Sequence, residues 1–240
     1  MSRTFILTGR ELRASFRSPV GSVVVAAMLL VEGILFYWAA LSQKLLSAEV
    51  LEQFFYYASG VTMVVAVALS MRLVAEERQS GTLVLLNTAP ISSLEIVLGK
   101  YLSAMLILAL ATLVSLYMPA LIFVNGKVSI GHILVGALGL MLLGSATTAI
   151  GLFASCLAKS QVVAALLGAA MTVAMILWWI LAKSVEPPLN EFFGAMALHH
   201  ENFRPFMNGT LHLGSVMYYL AVTYFFLLAS TKAMEARRWR

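Results

Sequence analysis

The sequence predicts an all-α integral membrane protein with six transmembrane helices. Of its 240 residues, 61% are hydrophobic and only 11% are charged, whereas soluble domains are near half apolar and about a quarter charged. Six apolar stretches reach the length of about 20 residues that crosses a hydrocarbon core. They are residues 20–41, 54–74, 102–124, 133–157, 162–182 and 211–230, and they make residues 1–240 one membrane domain.

The N-terminal segment, residues 1–18, is too polar to span a bilayer. Its apolar and basic residues separate on a helical wheel: Phe5, Leu12 and Phe16 share one face, and Arg3, Arg10, Arg13 and Arg17 cluster beside it. This pattern predicts a helix in the membrane interface, with its apolar face in lipid and its basic side near the phosphates. The alternative is a simple basic anchor that follows the positive-inside rule.

The basic residues also predict the orientation. An even number of spans puts both termini on one side, and that side is predicted to be cytoplasmic because it carries 12 of the 16 Lys and Arg. They are Arg3, Arg10, Arg13, Arg17, Arg72, Arg78, Lys100, Lys159, Lys232, Arg237, Arg238 and Arg240, against Lys44, Lys127, Lys183 and Arg204 on the other side.

The connection between the second and third spans is the longest one on the predicted cytoplasmic side. The second span is expected to continue as a helix over residues 76–79 and to stop near Gly81. A short apolar turn, residues 83–86, is broken by Thr88-Ala89-Pro90. Ser92 and Glu95 have the spacing of a capping box that starts the third span. For residues 81–95, physical chemistry leaves open a docking surface for a partner or a loop lying on the bilayer.

Two intramembrane features concern packing and polarity. The fourth span carries small residues at helical spacing, which predict close helix packing over the alternative of a substrate path: Gly136, Gly144, Thr148, Gly151 and Ser155. Glu32 is the one acidic residue well inside a predicted span, where a charge costs roughly 2.5–3.5 kcal/mol. It is expected to face a protein partner, a wet cavity or a subunit interface, or to be protonated. Its side chain either lines a polar translocation path or takes part in coupling, or it is a hydrogen-bonded residue that packs helices together. A single carboxyl is too few for a proton relay.

The external connection, residues 183–210, predicts short helices at the outer interface. It contains His199-His200-Glu201, but adjacent histidines point in different directions, so no metal site is expected.

The chain also has no P-loop, because Gly99-Lys100 is followed by Tyr101 and position 94 is Leu. No catalytic residue is therefore assigned, and ATP is not expected to bind this chain through a P-loop.

Residues 76–101 resemble the permease subunit of type-2 ABC exporters. The residues that carry this likeness are Glu76-Glu77-Arg78, Gly81-Thr82-Leu83, Leu86, Thr88, Pro90-Ile91 and the run 95–101; Val84 departs from it, since the family often has Glu there. Two further stretches are similar to the gliding-motility-type branch. They are residues 149–157 with 159–164, and Phe192-Phe193, His199, Phe203, Phe206, Gly209, Tyr218-Tyr219 and 237–240.

The resemblance implies a bacterial inner-membrane protein with an N-terminal elbow helix, a homodimer of such domains, and two cytoplasmic ABC ATPase subunits that bind the ATP and Mg²⁺. It makes residues 81–95 the region that contacts the ATPase, and the candidate contacts are Gly81, Thr82, Leu83, Leu85, Leu86, Thr88 and Pro90. The implied function is ATP-driven export. The alternatives are force transmission to a membrane-anchored extracytoplasmic partner, and a standalone channel or carrier. Nucleic acid is not an expected partner.

Overall fold

The computed structural model describes residues 3–17, 19–41, 46–82, 91–124, 126 and 128–238. Within these residues the secondary structure is helical, and no strand is present. The α-helices are α1 (Arg3–Arg17), α2 (Pro19–Leu35), α3 (Ser47–Ser70), α4 (Arg72–Gln79), α5 (Ser93–Ser115), α6 (Tyr117–Ala120), α7 (Ile130–Leu157), α8 (Gln161–Ser184), α9 (Leu189–Met196), α10 (His200–Met207) and α11 (Leu213–Arg238). A π-helical turn, Phe36–Leu41, follows α2, and a 3₁₀ turn, Leu121–Val124, follows α6.

Six helical segments of the described chain are long and apolar enough to cross a membrane, so the predicted fold class is confirmed. They are Gly21–Trp38, Ser47–Gln79, Ser93–Phe123, Ile130–Leu157, Gln161–Ser184 and Leu213–Ala236. The second differs most from its prediction, residues 54–74. It starts earlier because the Glu49 carboxylate accepts a hydrogen bond from Leu46 N–H at 3.0 Å, and it continues through α4.

One end of the bundle, here named the basic end, holds Arg72, Arg78, Lys100 and Lys159. Its residues meet across helices: Lys100 pairs with Glu77 at 2.9 Å, and Arg78 donates to the carbonyl of Cys156 at 3.0 Å. This end corresponds to the side that the basic residues predict to be cytoplasmic. The other end, which carries α9 and α10, is named the opposite end.

Helix α7 lies at the centre of the bundle and approaches its neighbours through small residues. Gly151 contacts Ser70 of α3 so closely that an added methyl group would overlap the serine side chain. A methyl group on Gly144 would lie 2.5 Å from Leu108 of α5, and one on Gly168 of α8 would lie 3.4 Å from the Gly151 Cα atom. Three helices therefore reach α7 at van der Waals distance, since small residues let backbones approach in lipid.

The third span is interrupted near Pro119. Helix α5 ends at Ser115, and the short helix α6 holds Pro119 before the 3₁₀ turn. Proline lacks the N–H that a continuous helix would use and crowds the preceding turn, so the chain cannot continue as one regular helix.

Helices α9 and α10 are the short helices expected in residues 183–210, but they are packed into the bundle. The N–H of Leu198 donates to the Met175 carbonyl of α8 at 3.0 Å, and the Tyr219 hydroxyl of α11 donates to the Leu198 carbonyl at 2.8 Å. Phe203 and Phe206 are fully buried. The segment is therefore held by backbone hydrogen bonds from two spans.

The two adjacent histidines of this segment have separate surroundings. His199 Nε2 lies 2.7 Å from Ser59 Oγ, and because that hydroxyl donates to the Tyr56 carbonyl at 2.6 Å, the imidazole N–H must be the donor to Ser59. Burial, with the neighbouring His200, lowers the pKa of His199 to about 4. His200 stacks on Trp179 instead, with ring centroids 4.5 Å apart.

Gly151→Val tests the closest helix approach. The added side chain would overlap Ser70, and overpacking of this kind costs about 1–3 kcal/mol. We expect a lower unfolding temperature in detergent. The matched control is Gly60→Val in α3, because nothing lies within 4 Å of a Cβ atom built there. Equal losses in the two variants would contradict the packing role of Gly151.

Candidate coupling site at the basic end of the second span

The second span breaks at Met71, between α3 and α4. A regular helix would bond the N–H groups of Val74 and Ala75 to the carbonyls four residues earlier. Here both N–H groups donate instead to the hydroxyl oxygen of Ser155 in α7, at 3.1 and 2.9 Å. The same hydroxyl donates to the Met71 carbonyl at 2.9 Å. One serine of the fourth span therefore satisfies three backbone groups released by the break.

The far end of α4 is also joined to α7. The guanidinium of Arg78 donates to the carbonyls of Cys156 and Ala158, which close the C-terminal end of α7. A cation at this position satisfies carbonyls that have no partner in their own helix and complements the negative end of the helix dipole. Helix α4 is thus fastened to α7 at both of its ends, by Ser155 and by Arg78.

Beyond Arg78 the helix stops where the sequence predicted. Ser80 closes α4, and Gly81 has φ +73°, a left-handed conformation that glycine adopts without the steric cost of a Cβ atom. Gly81 and Thr82 are exposed at this tip. The Thr82 hydroxyl lies 2.9 Å from Ser80 Oγ, which holds the first residues after the helix close to it.

A buried charge cluster joins α4 to two other segments. Lys100, at the start of the third span, is 1% exposed, and its Nζ atom lies 2.9 Å from Glu77 Oε1 and 3.4 Å from Glu11 Oε1. Arg10 Nη2 lies 2.6 Å from the Glu11 carboxylate and 3.3 Å from that of Glu77. The buried Lys100 and the partly exposed Arg10 thus face two mostly buried carboxylates.

The charges of the cluster keep Glu11 ionised. Burial by itself raises the pKa of the Glu11 carboxyl, but the ammonium of Lys100 and the guanidinium of Arg10 outweigh burial and hold that pKa below its usual value. The pairing therefore stabilises the fold at neutral pH and is lost as the pH falls through the lowered pKa.

Helix α1 is seated on the start of α5 by a close contact. Leu7 packs on Gly99, where an added methyl group would lie 2.8 Å from Leu7 Cδ2, and the Thr8 hydroxyl donates to the Gly99 carbonyl at 3.2 Å. The predicted helix is present, with Phe5 and Phe16 exposed and Leu12 half-buried. Arg13 is exposed on the same helix.

The predicted cap of the third span is confirmed. Ser92 Oγ accepts a hydrogen bond from Glu95 N–H at 3.2 Å, and the Glu95 carboxylate accepts one from Ser92 N–H at 2.9 Å. Thr82 and Ile91, on either side of residues 83–90, both line a groove of about 560 Å³ with the charge cluster. Five candidate contacts lie outside the described residues: Leu83, Leu85, Leu86, Thr88 and Pro90.

The intramembrane candidates are not part of this site, apart from Ser155. Gly144 and Gly151 lie at the helix contacts described above, and Thr148 is fully buried on the same helix. Glu32 is 2% exposed in α2.

The sequence analysis did not single out Glu11, Glu77 or Lys100 as a cluster. Lys100 entered only the orientation count, the exclusion of a P-loop and the family resemblance. The sequence signal for this cluster is Lys100 itself, a lone lysine near the start of an apolar helix. Such a charge needs a partner of opposite charge when the helix is buried. Ser155 was singled out as a small packing residue, and its hydrogen bonds to α4 had no signal in the sequence pattern.

Comparison with known families gives one match that covers most of the chain. A family model described as "ABC-2 family transporter protein" matches residues 6–208. The match runs from α1 to the end of α10 and includes every segment of the site. A comparison with curated proteins found no match.

Ser155→Ala tests the hydrogen bonds at the break of the second span. Without the hydroxyl, the N–H groups of Val74 and Ala75 lose their acceptor, which costs about 1–3 kcal/mol. We expect a lower unfolding temperature and faster hydrogen exchange at these two amides. Ser230→Ala is the control, since this buried hydroxyl donates to Phe226 of its own helix. Unchanged exchange at Val74 and Ala75 would contradict the assignment.

Lys100→Met tests the charge cluster. It leaves Glu11 and Glu77 short of a cation, and removing one partner of a buried pair costs on the order of 3 kcal/mol. Adding Glu11→Gln and Glu77→Gln should restore most of the unfolding temperature, because Arg10 is half exposed and can be solvated. Lys232→Met, which breaks an exposed pair, should change little. A triple variant as unstable as Lys100→Met would refute the cluster.

Proposed function

This chain belongs to the ABC-2 family of transporter membrane proteins, and from that premise we propose that it couples ATP hydrolysis by a separate cytoplasmic ATPase to export. The family is a multi-pass permease component of ABC transporters and is typically non-catalytic. In this proposal ATP and Mg²⁺ are bound by the partner ATPase. The observation that supports it is the fastening of α4 to α7, α5 and α1.

Helix α4 would act as the lever of the coupling. Its tip, Gly81-Thr82, leads directly into residues 83–90, which we propose as the ATPase contact. A push on this segment would reach α7 through Ser155 and Arg78. It would reach α5 and α1 through the pairs that Glu77 makes with Lys100 and Arg10. Because polar contacts join all four segments, a displacement of α4 cannot remain local.

The same proposal sets the orientation and the assembly. The basic end faces the cytoplasm of a bacterial inner membrane by the positive-inside rule, and the exposed Phe5 and Phe16 of α1 lie in the lipid interface as an elbow helix. Two copies form a homodimer. Helix α8 is the least covered span, with 17% of its apolar window buried, so it offers an apolar face to lipid or to the second copy. The gliding-motility-type branch stays a prediction from the sequence.

Force transmission without transport is the second candidate function. Hydrogen bonds at the opposite end of the bundle support it. The Leu198 backbone is bonded to α8 and α11, and the Tyr218 hydroxyl of α11 donates to the Met196 carbonyl at 2.7 Å. Motion of these spans would therefore reach the external segment, where Leu189 and Phe192 are exposed. In this version an extracytoplasmic partner contacts that segment.

Paired substitutions in the proposed contact test the function. The permease is co-expressed with candidate ABC ATPases, and complex formation and ATPase activity are measured with Leu85→Asp and Leu86→Asp together. A charge in an apolar contact costs about 2 kcal/mol or more, roughly a 30-fold loss of affinity. The control carries Leu211→Asp and Leu213→Asp, exposed leucines at the opposite end. ATPase binding and activity that resist the first pair would overturn the proposal.

The two candidate functions differ in whether a solute or lipid crosses the membrane. An exporter moves solute or lipid across reconstituted vesicles when ATP is hydrolysed. Force transmission gives the same ATPase coupling with no flux, and its activity would depend on an added extracytoplasmic partner.

A further inference from the structure

Glu32 is a buried carboxyl that the coupling site does not use. It is 2% exposed within a single copy of the chain. Neither of its carboxylate oxygens has a hydrogen-bond partner among the described residues, and no ion pair to it is present among them.

Among the residues that the structure describes, no cation of the helices packed around Glu32 lies within ion-pair distance of its carboxylate. Glu32 lies one turn beyond Met28, which packs with Ala66 of α3 and Leu108 of α5. Ser115 is the polar neighbour from α5. The described charged residues of these helices make no ion pair with Glu32: they are Arg10, Glu11 and Arg13 on α1, Glu49 and Glu52 on α3, Arg72, Glu76, Glu77 and Arg78 on α4, and Glu95 and Lys100 on α5. The other described titratable groups of the neighbouring segments are Tyr37, Tyr56, Tyr57, Tyr101, Tyr117 and His199.

Ser115 cannot compensate an ionised Glu32. Its hydroxyl donates its one hydrogen to the Thr112 carbonyl at 2.9 Å, so its oxygen is left to accept. A carboxylate has no hydrogen to offer that oxygen and would remain buried as an unpaired charge, at a cost of several kcal/mol. A neutral carboxylic acid can donate its O–H to Ser115 and needs no cation.

We propose that Glu32 is a proton-binding site: in this conformation its buried, unpartnered carboxyl is neutral and holds a proton. The inference goes beyond the proposed function and does not depend on it. It is a single binding site and not a relay, since Glu32 is the one fully buried acidic residue among those that the structure describes. A conformation that brought Glu32 into contact with water would release the proton, so higher pH would favour that conformation.

Infrared spectroscopy of the full chain in lipid nanodiscs at neutral pH tests the proposal. We expect a carbonyl band of a protonated carboxylic acid in the wild type, its loss in Glu32→Gln, and its retention in Glu191→Gln, whose side chain is exposed. Glu32→Gln should keep the unfolding temperature, because a neutral amide of nearly the same shape also needs no cation. If Glu32→Gln instead removes a carboxylate band and leaves the acid region unchanged, the proposal fails.

Carbodiimide labelling provides an independent readout. The acid O–H adds across one C=N bond of the carbodiimide and rearranges to an N-acylurea, so no atom leaves and the peptide gains the mass of the reagent. We expect the apolar dicyclohexylcarbodiimide to modify the Glu32 peptide in the wild type and not in Glu32→Gln. Modification of Glu32 by a water-soluble carbodiimide as fast as that of Glu191 would place the carboxyl in water and overturn the proposal.

Discussion

The hydrogen bonds of Ser155 are the interaction on which the rest of the coupling site depends. In a bilayer each backbone N–H must find a partner within the protein, so a span can break only where another group replaces the lost helical bonds. Ser155 does this for Val74 and Ala75. Helix α4 then continues beyond Met71 and places Arg78 at the end of α7 and Glu77 beside Lys100.

Two ionisable side chains of the described residues, Lys100 and Glu32, are accommodated in opposite ways. Both side chains are almost completely buried. Lys100 lies at the start of its helix, where α1 and α4 bring two carboxylates within ion-pair distance. Glu32 lies inside a span whose neighbours supply only hydroxyls, so neutralisation by a proton replaces neutralisation by a cation. The first arrangement joins helices, and the second leaves a group that responds to pH.

The external segment, like the break at Met71, needs hydrogen-bond partners for its backbone from other helices. A chain that folds back into apolar surroundings needs partners for its own backbone, and Leu198 finds them on α8 and α11. Phe203 and Phe206 then fill the space beside Gly139 of α7. The packing ties this end of the bundle to spans that also reach the basic end, which gives the proposed coupling a continuous mechanical connection through α7 and α8.

The sequence by itself determined the spans, the stop at Gly81 and the cap at Ser92, because each depends on neighbours within a few residues. Hydropathy sums over one segment, and a left-handed glycine or a capping box acts within one turn. The pairing of Lys100 with Glu11 and Glu77 was decided by tertiary structure, since these residues are separated by 89 and 23 positions. The role of Ser155 also needed the fold, because its spacing with Gly151 marks a small-residue face but does not show which backbone groups that face will meet.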